Sequence, residues 1–195
     1  MAIAALGVVF AGCGQAAPAA SATVSAPAAV SVSAPPAATV PGSPNAPVGV
    51  EAELLDLLPA EIGGLPLTFS QEGSATAAGD PGLAATAESV AYGLLADDLG
   101  DDIAVVSIVR LHDGVFGDEL FRRWRETYDA EVCRTAGVTG HAQAEIGGRT
   151  VHIGTCARGG HTHHAWVEAE RAIVSIYSAG ERRLGELAIS HLGRP

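Results

Sequence analysis

From Glu51 onward the chain switches repeatedly between two hydrophobic periods. Leu54, Leu55, Leu57 and Leu58 cluster before Pro59, the pattern of a short docking helix that stops at the proline. Gly63-Gly64 turns the chain into Leu65–Ser70, where Leu65, Leu67 and Phe69 alternate as in a strand. Asp80-Pro81 supplies an N-cap followed by a proline at the first helical position. Leu83, Ala87, Val90, Leu94 and Leu95 then recur near a 3.6-residue period, which predicts a helix over 82–97. Ile103–Leu111 is apolar at successive positions and reads as a central strand covered on both sides. Leu120, Phe121, Trp124 and Tyr128 form the apolar stripe of a helix over 117–131, with Glu119, Arg122, Arg123 and Glu126 largely outside it. That stripe reads as core packing.

From Gly140 the segments shorten. Gly147-Gly148 and Gly159-Gly160 are hairpin signals between strands near 141–146, 149–157, 161–169 and 172–178, an antiparallel meander. Ser178 and Glu181 have capping-box spacing and predict the start of a last helix. Leu184, Leu187, Ala188 and Leu192 form its inner face, and Gly193 ends it. The resulting order, β-α-β-α-β-β-β-β-α, predicts an α+β fold: a mostly antiparallel sheet with about three helices packed on its apolar face. The segment 51–195 is close to the commonest domain size and is expected to form a single globular domain.

Residues 14–50 follow different rules. They include twelve Ala, seven Pro and five Ser, and no charged side chain. Such a tract lacks the large apolar groups that offset ordering entropy, and its prolines interrupt helices and ladders. It is expected to be disordered and to reach about 35 Å as a flexible coil. Ahead of it, Met1–Gly12 is apolar and ends in small residues, the pattern of an export signal. Phe10-Ala11-Gly12-Cys13 resembles the lipobox of bacterial membrane lipoproteins, with Phe10 where that pattern usually has an aliphatic residue. The resemblance implies cleavage before Cys13 and a lipid on its sulfur. Residues 1–12 would then be the signal, and 13–50 a tether holding the domain to the outer face of the cell membrane.

Charge narrows the partners. The chain carries 22 acidic and 11 basic residues, every basic one an arginine, for a formal net charge of −11. A broad nucleic-acid surface needs basic side chains this chain lacks. No run approaches the ~18 apolar residues of a membrane-spanning helix. With Cys13 assigned to the lipid, Cys133 and Cys156 remain as a pair in an oxidising compartment and are expected to form a disulfide between the second helix and the meander.

The densest chemistry lies in Gly160-His161-Thr162-His163-His164. A two-residue turn at Gly159-Gly160 would put His161 and His163 on one strand face, with His152 further along that face and His164 on the other. Imidazoles grouped this way bind Zn or Cu, and a third ligand would have to come from His141, His152 or a carboxylate; the plainer reading is a polar hairpin tip. Asp97-Asp98 and Asp101-Asp102 lack calcium-loop spacing and read as a solvated acidic turn. No nucleophile elbow, phosphate loop or HExxH points to catalysis. The expectation is a lipid-anchored extracytoplasmic domain that binds a small ligand or an envelope protein. A metal-binding lipoprotein is the alternative, and a surface hydrolase a weaker one.

Overall fold

The computed structural model describes residues 47–193. The signal segment, Cys13 and the tether as far as residue 46 lie outside the described residues. The tether's expected end does not hold to residue 50. Val48 is buried, and Gly49–Val50 (β1) pairs in parallel with a later strand.

A 3-10 turn over Ala52–Leu57 follows and buries Leu54 and Leu55, while Leu58 is buried just after it. The single strand expected over 65–70 is divided. Glu61–Ile62 (β2) and Leu65–Pro66 (β3) form a small ladder of their own, and Thr68–Phe69 (β4) joins the main sheet. Ser70 caps helix α1 (Gln71–Ala78), its hydroxyl accepting from the Gly73 N–H. Asp80 caps α2 in the same way, its carboxylate accepting from the Gly82 N–H.

Helix α2 ends at Ala84 (Pro81–Ala84), and the expected helix over 82–97 is instead the strand β5, Ala87–Ala96. The cause is two-sided burial. Val90 packs on one face and Ala91 and Leu95 on the other, so inward positions occur at spacings that imitate a helical stripe. Leu94, assigned to the helix's inner stripe, is exposed.

Strand β6 (Ile103–Leu111) pairs with β5 through the acidic turn at 97–102. Helix α3 spans Asp118–Val132. The meander is β7 (Val138–Ile146), β8 (Arg149–Cys156), β9 (His161–Val167) and β10 (Ala172–Ala179). The capping-box expectation fails. Ser178 stays inside β10, Gly180 turns the chain at φ +105°, and α4 begins only at Leu184 (Leu184–His191). An added Cβ at Gly180 would collide with the Asp102 backbone and carboxylate, and that carboxylate accepts from the Arg182 N–H.

Among the described residues the main sheet has eight strands in the order β1-β5-β6-β10-β9-β8-β7, with β4 also on β5. Every pairing is antiparallel except β1 with β5. A mostly antiparallel sheet is as expected, but helices cover both faces. On one side the 3-10 turn and α4 close over Val106, Ile108, Val174 and Ile176. On the other, α1, α2 and α3 close over Val90, Val109, Leu111 and Ile173. A sheet apolar on both faces requires two covering layers.

Cys133 and Cys156 lie at disulfide distance, with Cα atoms 5.3 Å apart and both side chains buried. The pair joins the end of α3 to the end of β8. Peptide mapping without reductant should recover the two cysteines linked. Replacing both by Ser should lower unfolding free energy by about 3 kcal/mol; free thiols in oxidatively prepared protein would contradict the link.

Candidate functional site

Beneath α3 the sheet carries a polar row that crosses five strands and ends on a sixth. Tyr92 (β5) lies opposite Ser107 (β6), Ser107 opposite Ser175 (β10), and Ser175 opposite His164 (β9). His164 lies opposite His152 (β8), and His152 opposite Gln143 (β7). Directly opposed residues share a face, so these side chains line up on the face that α3 packs against, with Gln143 at its exposed edge. Ser107, Ser175 and His164 are completely or almost completely buried.

Burying so many polar groups requires partners. Helix α3 supplies two of them. The Trp124 indole N–H donates to Ser175 Oγ at 3.0 Å. Ser175 Oγ lies 2.9 Å from His164 Nδ1, and His164 Nε2 lies 2.9 Å from Asp129 Oδ1. One set of donors satisfies this chain: the indole donates to the hydroxyl, the hydroxyl to Nδ1, and Nε2–H to the carboxylate.

Asp129 is the hub. It is 2% exposed, yet accepts from the Thr162 hydroxyl at 2.5 Å and from His164, and its second oxygen lies 3.1 Å from His141 Nε2. Burial raises its pKa, but the hydrogen bonds from His164 and Thr162 and the nearby imidazoles outweigh that and hold the carboxyl below the ordinary range. Thr162 in turn accepts from the Gly154 N–H. Gly154 leaves the room this requires, since a Cβ there would stand 2.6 Å from Asp129 Oδ2.

Next to this network a cleft of about 750 Å³ opens between α1–α2 and α3. Leu83, Tyr92, Val109, Leu120, Trp124 and Tyr128 give it apolar and aromatic walls. Thr76, Thr86 and Thr127 add hydroxyls, while Asp80, Arg123 and Glu131 supply its charges. The volume is that of a small-molecule site. Tyr128 packs edge-on against the His164 ring, and its buried hydroxyl has no hydrogen-bond partner among the described residues. Burial raises the Tyr128 pKa well above the phenol range, so the group stays a neutral donor.

The sequence expectations fare unevenly here. His161 and His163 do share a face, the one under α4. His152 does not join them. The loop between β8 and β9 is longer than the two-residue turn expected, with Cys156 N–H donating to the Gly160 carbonyl, and the register puts His152 opposite His164 on the α3 face. His164, expected to face away from His161 and His163, does so and is the most buried and best connected of the cluster. His141 reaches Asp129 rather than the other ring nitrogens. No cluster of three or more His, Cys, Asp or Glu suited to a metal occurs among the described residues. Asp129, Thr162 and Ser175 were not anticipated. The available signal was Ser107 and Ser175, single polar residues inside otherwise apolar strand runs.

Ser175, His164 and Asp129 have the residue types of a hydrolase triad, but the serine sits on Nδ1 and the carboxylate on Nε2, the reverse of the usual order. Ser175 is also fully enclosed beneath Trp124, leaving no path to a substrate carbonyl in this conformation. The arrangement positions α3. No family model, curated protein or solved structure matches this chain.

His163 carries a measurable consequence. Burial, reinforced by His161, His164 and Arg183, pushes its pKa down to about 4. An unfolded histidine titrates near ~6.5, so between these values only the unfolded chain takes up this proton. Stability should therefore fall as pH drops from 6.5 to 4, by roughly 3 kcal/mol in total. Urea unfolding at pH 7 and pH 4.5 should show the drop, and His163→Gln should remove most of it. Asp129 acts at lower pH: its stabilisation is present above the unfolded carboxylate pKa and is lost as pH falls through its depressed native value. An unchanged slope in His163→Gln would refute the assignment.

Proposed function

We propose that this chain is an exported binding domain, held to the outer face of a membrane by a lipid on Cys13, whose cleft between α1–α2 and α3 takes a small uncharged ligand. The cleft carries the reading: about 750 Å³, aromatic walls, scattered hydroxyls and a floor of Tyr92 and Val109 from the sheet. The walls suit a ligand with an apolar face, stacked against Trp124 and Tyr92. The threonine hydroxyls offer hydrogen bonds to its polar edge.

The anchoring half of the reading rests on the lipobox-like Phe10-Ala11-Gly12-Cys13 and the chargeless tract behind it. Among the described residues no helix is long and apolar enough to cross a membrane, so attachment in this reading comes from the lipid. One acyl chain gives only marginal attachment, and stable anchoring takes more than one. The cysteine pair at disulfide distance suits an oxidising compartment.

Two measurements test the two halves separately. Titrating the protein with N-phenylnaphthylamine, an uncharged apolar fluorophore, should give saturable binding that also perturbs Trp124 emission. Ala77→Trp, which fills the cleft, should weaken that binding at least tenfold, about 1.4 kcal/mol. Equal binding by the variant would remove the cleft from consideration. Cell fractionation of the native gene product should find it with membranes, and Cys13→Ala should release it; identical partition and mass would refute the anchor.

A further inference from the structure

The two edges of the main sheet are not equivalent. At one, β1 and β4 together cap the outer side of β5. At the other, β7 is the terminal strand and, among the described residues, pairs only with β8. It is nine residues long, contains no proline, lysine or arginine, and is exposed at six positions and half-buried at the other three. Edge strands of this length are usually shortened, charged, covered or interrupted, because their unpaired backbone groups template further pairing. The bulge between Val138 and Gly140 interrupts only the first part and leaves His141–Ile146 regular.

The turn fixes which backbone groups are free. Ile146 and Arg149 flank a two-residue turn in which Gly147 and Gly148 both have positive φ. In such a hairpin the flanking pair exchanges both hydrogen bonds. Alternation along β7 then points the N–H and C=O groups of Glu145, Gln143 and His141 away from β8.

We propose that this edge pairs antiparallel with the same edge of a second copy of the chain, about a two-fold axis at Gln143, to make one continuous sheet. The strand is complementary to itself in that register. Gln143 meets Gln143 of the second copy, and each His141 lies opposite a Glu145. Ala142 lies opposite Ala144, so the other face meets through small side chains. A two-fold axis normal to the sheet keeps the α3 side of one copy beside the α3 side of the other, so His141 and Glu145 fall on a common face. His141 already uses Nε2 toward Asp129, which leaves Nδ1 for the opposing carboxylate. The two clefts would open on the same side of the joined sheet.

Sedimentation velocity on the full chain carrying Cys13→Ser, so that no lipid drives association, should show a concentration-dependent two-chain species. Gln143→Pro removes an outward N–H without touching the β7–β8 ladder, and Gln143→Lys sets two ammonium groups together at the axis. Each should raise the dimer dissociation constant at least tenfold while far-ultraviolet circular dichroism stays unchanged. A single-chain species at every concentration overturns the proposal. So does a dimer that withstands both substitutions, whether another surface or residues 14–46 hold it.

Discussion

A buried carboxylate governs the arrangement of this molecule. Asp129 sits on a helix facing a sheet, almost without solvent, and meets hydrogen-bonding side chains from two strands: Thr162 and His164 on β9, and His141 on β7. An unpaired carboxylate there would cost several kcal/mol, so α3 is held in the position that satisfies it. The Gly154 backbone on β8 completes the circuit through Thr162. Through His164 and Ser175 the same network reaches Trp124, one turn and more back along α3. Hydrophobic packing makes this face stick, but it is not directional; the polar chain sets the helix's rotation and register.

Position then becomes shape. The cysteine pair holds the end of α3 to β8, and Asp129 holds the turn before it. The stretch of α3 bearing Leu120, Trp124, Thr127 and Tyr128 is therefore a fixed wall. Opposite it, α1 is tied to β5 by Ser74, whose hydroxyl accepts from the Tyr92 N–H and donates to the Ser70 carbonyl. Two walls fixed independently to one sheet leave a gap between them. A binding reading depends on that gap, since a preformed site avoids the cost of ordering its walls around a ligand.

The sequence revealed the meander, α3 and the cysteine pairing because each follows from a local signal: glycine turns, a strong amphipathic stripe, and an even number of cysteines left over. It misled at 87–96, where burial on both faces put apolar residues at near-helical spacing. It misled again at Ser178, where capping-box spacing met a strand that the sheet extends to Ala179. The histidines were noticed for the wrong reason. Their significance depended on a cross-strand register three residues away from the assumed one, and an odd slip of that kind moves His152 to the opposite face and decides which rings are neighbours. Asp129 could not be singled out, because on α3 it is one of several acidic residues and only the fold reveals that it alone points inward.

If Asp129 organises the α3 face, its energetic coupling to its partners must be large. A double-mutant cycle between Asp129→Ala and Thr162→Val, read by urea unfolding at pH 7, measures this directly. The account predicts that either single substitution is strongly destabilising and that the pair is less so than their sum, with a coupling of about 1–3 kcal/mol. Additive effects, to within about 0.5 kcal/mol, would show that the carboxylate and the hydroxyl contribute separately and that the network does not hold the helix.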